Sequence, residues 1–216
     1  MKKMNNVISS LCFKSVNFAY EESKNIFAES ISVEFQIGSI NVVTGENGCG
    51  KSTLLNLPLG IWDNYSGSIY MDKEEVRAFD KEHLRNLVSY AFQMPAIVKD
   101  TILNNIAWGK TIEIERIARL VEAINFRDDI ESKPQSFHTI IDREALSQGQ
   151  LQKMEIARVL YTDSPIMIFD EPTSNLDVKS VHALIRLLKE IKHQHLIIII
   201  SHDDRIVQEA DYKLRL

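Results

Sequence analysis

Eight residues near the start of the chain have the types and spacing of a phosphate cradle. Gly45-Glu46-Asn47-Gly48-Cys49-Gly50-Lys51-Ser52 fits the pattern G-x-x-x-x-G-K-[ST]. An apolar run, Ser39 to Thr44, precedes it and reads as a strand, and a helix-like segment begins near Lys51. Glycines let the backbone bend so that successive N–H groups face phosphate oxygens, and a helix start adds partial positive charge. Lys51 is then placed to reach the terminal phosphates, and the Ser52 hydroxyl to ligate Mg²⁺. Average composition gives such a match by chance in roughly one in a hundred chains of this length. The strand before it and the helix after it make a chance glycine turn a poor competitor.

Two further strand ends carry titratable groups. Ile166 to Asp170 is an apolar run that stops on a carboxylate, with Glu171 and Pro172 directly behind it. An acid at the carboxyl end of a buried strand, on the same sheet as a phosphate loop, can hold the shell of Mg²⁺, and the next carboxylate can polarise water. Leu196 to Ile200 stops at Ser201-His202-Asp203. His202 there could reach a γ-phosphate, whereas a lone histidine at a strand end is usually structural.

The elements that must position these groups follow from periodicity. Leu11 to Tyr20, Ser30 to Ile37, Ser68 to Met71 and Leu87 to Phe92 read as strands, and Pro58 should end or kink the helix after the phosphate loop early. From Ile102 to Ile124 and again from Ser147 to Leu160, apolar residues fall at helical spacing. The last third alternates strand (Ile166 to Phe169), helix (Val178 to Ile191), strand (Leu196 to Ile200), short helix and strand (Tyr212 to Leu216). Near-continuous aliphatic strands such as Leu-Ile-Ile-Ile-Ile indicate a sheet covered on both faces. The plan is α/β at both ends with a helical insertion of about sixty residues. The 216 residues, 44% hydrophobic and 25% charged, can bury a sizeable core, which removes disordered and disulfide-scaffold classes. Two cysteines give no disulfide framework and suit a reducing compartment. A net charge of -5 argues against a general nucleic-acid binder, and no apolar run approaches the roughly 18 residues of a membrane span.

The order of these motifs resembles the ATP-binding domain of ABC transporters across nearly the whole chain. Gly45 to Thr53 is the phosphate loop. Gln93 resembles the Q-loop glutamine, and Leu146-Ser-Gln-Gly-Gln150 the signature sequence. Ile166 to Glu171 resembles the Walker B strand with its glutamate, Ser174 to Asp177 the D-loop, and His202 the switch histidine. Tyr20 sits where the family carries an aromatic that stacks on adenine. The resemblance implies a P-loop NTPase fold: a RecA-like core of mostly parallel sheet, an antiparallel β subdomain and an inserted α-helical subdomain. Its implied boundaries are a core of about 11–93 and 163–216 and helices at about 94–162.

The resemblance also implies a mechanism. ATP with Mg²⁺ would lie on Tyr20, Gly45, Asn47, Gly48, Cys49, Gly50, Lys51, Ser52, Thr53 and Gln93, with Ser52, Gln93 and Asp170 around the metal. Ser147, Gly149, Gln150 and Asp177 would meet the nucleotide of a second copy, closing a head-to-tail dimer. Glu171, His202 and Lys51 would be catalytic. Gln93 would also relay to an integral membrane subunit, which places the chain in the cytoplasm at the inner face of the cell membrane. Gln93 to Gly109, with Thr101-Ile-Leu-Asn-Asn-Ile106, looks like the exporter type. Gln148 replaces the usual first signature glycine, the stretch Thr139 to Ala145 is short, and few residues follow the final strand. The start Met-Lys-Lys-Met favours a separate subunit over a domain cut from a longer chain. Two other readings compete. A non-transport ATPase of the same family, acting on DNA, ribosomes or cofactor assembly, would need coiled-coil insertions or a second ATPase domain. A regulatory module that holds ATP without turnover would not need Glu171, His202 and Ser147.

Overall fold

The computed structural model describes residues 7–20 and 25–216. Met1 to Asn6, read above as the start of a separate subunit, lies outside the described residues. In chain order the elements are β1 (Ser10–Asn17), β2 (Ile31–Gln36), β3 (Ile40–Thr44), α1 (Lys51–Asn56), β4 (Ser66–Met71), β5 (Glu74–Glu75), α2 (Lys81–Leu87) and β6 (Val88–Ala91). There follow β7 (Asp100–Thr101), α3 (Ile102–Ala107), α4 (Ile114–Ala123), α5 (Arg127–Glu131), β8 (Ile140–Ile141) and α6 (Gln148–Thr162). The last are β9 (Ile166–Asp170), α7 (Val178–Ile191), β10 (Leu196–Ile200), α8 (Asp204–Gln208) and β11 (Tyr212–Arg215). One sheet has the order β2-β1-β4-β5 and a second the order β11-β3-β10-β9-β6. The parallel sheet, the antiparallel sheet and the helices together are the architecture expected of a P-loop NTPase of this kind.

The chain divides into two compact units. The first takes the chain up to Ser89, Ser164–Ile168 and Ile191–Leu216; the second takes Tyr90–Asp163 and Phe169–Glu190. In the first unit β1 runs antiparallel to both β2 and β4. Alternate residues Leu11, Phe13, Val33, Phe35, Ile69 and Met71 are buried, with the Phe13 and Phe35 rings edge to face. The strand predicted over Leu11 to Tyr20 runs only to Asn17, and its ladder slips between Phe13 and Val16, where Ser15 adopts φ 50°. Such a bulge leaves one extra residue unpaired before the ladder resumes at Val16 and Asn17.

β3 pairs in parallel with β10 and β11, and all of β10 and four of five residues of β3 are buried. Asn41 is the polar exception among the buried residues of β3. Its amide donates to the carbonyl oxygens of Gln36, Ser39 and Ile197, so one buried side chain ties the turn before β3 to the neighbouring strand. Helix α1 gives way after six residues to a 3₁₀ turn over Leu57–Leu59 containing Pro58, the early termination expected of that proline. Helix α2, which the apolar pattern does not announce, carries only Leu84 and Leu87 inward and starts at the Asp80 cap. It takes Leu87 from the predicted strand Leu87 to Phe92.

The second unit is mainly helical. α4 turns Ile117 and Val121 inward. α6 is buried on every side from Leu151 to Tyr161, including Gln152, Lys153, Glu155 and Arg158. Among the described residues no helix is long and apolar enough to cross a membrane. Replacing Asn41 by Ala should cost about 1–3 kcal/mol, the typical penalty for stripping a buried group of its partner. Urea unfolding monitored by circular dichroism should show the midpoint fall with an unchanged slope.

Candidate functional site

The candidate residues fall in both units, and each group is built separately. In the first unit β3 ends at Thr44 and the chain turns through Gly45 to Gly50 before α1 begins. Gly50 caps α1 with φ 98°, and a Cβ there would come within 2.6 Å of Ile26 and 2.7 Å of Phe27, so only glycine fits both the backbone and the space. Cys49 donates its N–H to the Glu46 carbonyl in the same turn, and its thiol is free. Lys51 is buried. Its Nζ donates to the Gly45 oxygen at 2.7 Å and the Glu46 oxygen at 2.9 Å, so the loop wraps back over its own lysine. Ser52 and Thr53, in the first turn of α1, are half-buried.

Tyr20 meets this turn directly: its hydroxyl hydrogen-bonds the Thr53 Oγ1 at 2.9 Å. The ring stands edge-on to Phe18 and to Trp62, with centroids 4.9 and 5.5 Å away, and remains about half exposed. Trp62 was not legible as part of this cluster, since it stands 42 positions away with no periodic signal. His202 is placed by register. Ile200 pairs with Val43 on parallel strands, and Ser201 N–H donates to the Val43 oxygen. Gly45 and His202 therefore lie two residues beyond paired positions, at the carboxyl ends of neighbouring strands.

In the second unit Asp170 closes β9 and is buried, and Tyr90 donates its hydroxyl proton to the Asp170 Oδ2 at 2.9 Å. Tyr90 is a second residue the sequence did not single out. Glu171, half-buried, takes φ 48°, a left-handed conformation uncommon for a non-glycine residue, and starts a turn in which Ser174 N–H donates to the Glu171 oxygen. Backbone conformations of this kind gather at functional sites. Gln93 is exposed just beyond β6.

Ser147 caps α6 with a reciprocal pair of bonds: its Oγ accepts from Gln150 N–H and its own N–H donates to the Gln150 Oε1. The Gln150 amide also donates to Asp129, so this side chain is engaged within its own chain. A Cβ on Gly149 would lie 2.8 Å from the Asn175 carbonyl oxygen, which packs the segment Ser147 to Gln150 against the turn before α7. Asp177 caps α7, accepting from the Ser180 N–H and Oγ, and those bonds hold its carboxyl below the ordinary range. Lys153 lies 2.8 Å from Asp129 and 3.8 Å from Asp177, bridging both carboxylates. The arrangement offers a helix start with exposed Ser147, an oxygen-donor carboxylate fixed by Tyr90, and a second carboxylate held by the backbone.

The chain is similar to known proteins over most of its length. A family model described as ABC transporter matches residues 28–174. The ATP-dependent lipid A-core flippase of Pectobacterium atrosepticum is 35% identical over 206 residues, covering 92% of this chain and 35% of that protein. The flippase of the same name from Coxiella burnetii is 34% identical over 204 residues, covering 93% and 35%. Among solved structures, one of a bacterial Atm1-family ABC exporter with ATP bound superposes with a TM-score of 0.91 at 27% identity, over 96% of this chain and 37% of that one. The chain thus spans little more than a third of the length of these relatives. For Tyr20, replacement by Ala should weaken ATP binding by about 1–2 kcal/mol, the value of one base–aromatic contact, and replacement by Trp should largely preserve it. Titration with a fluorescent ATP analogue measures both; equal affinities with a lower melting temperature would make Tyr20 a packing residue only.

Proposed function

The chain belongs to the ABC transporter family as an ATP-binding domain, and on that premise we propose that it hydrolyses ATP between two copies closed head to tail, driving export through an integral membrane subunit. The observation that carries the proposal is the pairing of two anion-ready features in one chain. One is the phosphate loop wrapped over Lys51, and the other is the exposed, capped start of the fifteen-residue helix α6 at Ser147. Apart from the Gln150 N–H that the Ser147 cap takes up, such a helix start presents first-turn N–H groups outside the intrahelical ladder and partial positive charge. Phosphoryl transfer needs positioning and charge neutralisation more than covalent chemistry, so a second anion site supplied by a partner copy completes the constellation.

In this reading the phosphate loop and Lys51 hold the β- and γ-phosphates, and Tyr20 carries the adenine. The Ser52 hydroxyl, the Asp170 carboxylate and the Gln93 amide oxygen are hard oxygen donors of the kind that would hold Mg²⁺, and the ion would supply further neutralisation of phosphate charge. Tyr90 keeps Asp170 in one orientation. Glu171 takes the proton of the attacking water or orients it, and His202 donates to the γ-phosphate. Ser147 and Gly149 face the nucleotide of the other copy. Gln150 and Asp177 contribute by fixing that segment and the start of α7, since both side chains are engaged within the chain. The exposed apolar side chains of Phe92, Met94, Val98 and Trp108 offer a docking face for the membrane subunit, and through it the chain sits at the inner face of the cell membrane. The names of the relatives, a flippase and an exporter, support the outward direction.

Replacing Glu171 by Gln keeps its size and hydrogen bonding but removes the charge. Turnover should fall by a factor of about 10² to 10⁴. ATP binding should persist, and an ATP-bound dimer should accumulate, visible by light scattering at high protein concentration. Lys51→Ala should fail to bind ATP and remain monomeric. Parental turnover in Glu171→Gln would remove Glu171 from the role of base.

A further inference from the structure

Residues 92–99, which carry Gln93, form no helix or strand. Backbone groups in such a segment still need partners, and several find them on buried side chains of two helices. Phe92 N–H donates to the Glu155 Oε1 at 3.4 Å, and the Arg158 guanidinium donates to the Ala96 oxygen at 2.9 Å. Val98 exchanges two bonds with the Asn105 amide, both 3.0 Å, and Arg158 Nε donates to the Asn105 oxygen. Arg158 and Glu155 meet at 2.6 Å, and the guanidinium lies over the Trp108 ring at 3.9 Å. Glu155 is 3% exposed, Arg158 7% and Asn105 0%. Gln93 therefore stands between two backbone anchors, Phe92 and Ala96, both held by side chains one turn apart on α6.

A buried ion pair is a poor way to stabilise a helix that is otherwise surrounded by apolar groups. Desolvation of both charges consumes most of their attraction, and apolar replacements of similar volume are often as stable or more so. Burial pushes the Glu155 carboxyl up from its ordinary value, against the pull of Arg158. What the pair provides is direction: a fully bonded polar network admits one arrangement of the groups it joins. We propose that the Glu155–Arg158 pair is a positioning device that fixes Gln93 relative to α6, the helix that begins at Ser147. The role rests on the reading of Gln93 as a ligand of the nucleotide's metal complex.

The test is a double-mutant cycle on the full chain, reading kcat, KM for ATP, Mg²⁺ dependence and melting temperature. Glu155→Leu/Arg158→Met removes the pair without leaving a lone buried charge. Its melting temperature should match or exceed the parent's, while kcat falls by about 10- to 100-fold, the scale of a small misplacement in a reacting site. In a Gln93→Ala background the same double replacement should change kcat less than about twofold, because nothing remains to be positioned. A kcat loss that persists without the Gln93 side chain overturns the proposal, as does parental kcat in the pair variant beside an impaired Gln93→Ala. Gln93→Ala indistinguishable from the parent in kcat and Mg²⁺ dependence overturns the reading of Gln93 itself, and the proposal with it. If the double replacement does not fold, Arg158→Lys keeps the charge but loses the planar fork to Ala96 and Asn105, and the same cycle with Gln93→Ala decides.

Discussion

A buried ammonium must be answered by acceptors, and at Lys51 the acceptors are the carbonyl oxygens of Gly45 and Glu46 in the loop just before it. That constraint shapes the first unit. The loop can return over Lys51 only if β3 stops at Thr44 and Gly50 takes a left-handed conformation against Ile26 and Phe27. β3 can stop there because it is a short, buried, parallel strand whose neighbour β10 ends in register with it, leaving Gly45 and His202 at one edge. Asn41 secures the other end of β3 with three bonds from one amide. Tyr20, through Thr53, is attached to the same turn.

Helix α6 plays the comparable part in the second unit. Its start is defined by the Ser147–Gln150 capping box, and its buried length distributes polar contacts to several loops. Lys153 reaches Asp129, the Asn125 carbonyl and Asp177; Glu155 and Arg158 reach the segment after β6. A helix buried on all sides with four charged or amide side chains inside would be unstable unless each found a partner. Several of the partners it finds lie in the segments that carry Gln93 and Asp177, so α6 is both a packing core and a frame for candidate residues.

How much of this was readable depended on which signal each part carries. β10 and α7 begin and end where the sequence puts them, because a five-residue aliphatic run and a fourteen-residue amphipathic period are strong signals. Pro58 foretold the end of α1. The end of β1 at Asn17 left no such mark, so β1 reads too long, and α2, with two inward residues, reads as nothing in particular. The phosphate loop, the strand-end acids and the ABC-type order of motifs were legible because their spacing is fixed along the chain. Tyr90 beside Asp170, Trp62 beside Tyr20 and the Glu155–Arg158 pair were not, since each depends on contacts between distant or buried polar positions. Within α6, Glu155 and Arg158 are spaced like a solvated salt bridge on an exposed helical face, and only burial distinguishes the two.

The central claim is that one complete hydrolytic site takes its phosphate loop from one copy and its Ser147 segment from another. Mixing two inactive variants tests it most directly. Lys51→Ala has a dead phosphate loop and an intact Ser147 segment; Ser147→Arg has an intact phosphate loop and a blocked helix start. Each alone should be inactive, and a mixture of the two should recover ATP hydrolysis, because a mixed dimer contains one intact pair. Steady-state phosphate release across mixing ratios, with both proteins shown to be folded, reads the outcome. Recovery that peaks near equal amounts supports the composite site; no recovery at any ratio, or full activity in Ser147→Arg alone, contradicts it.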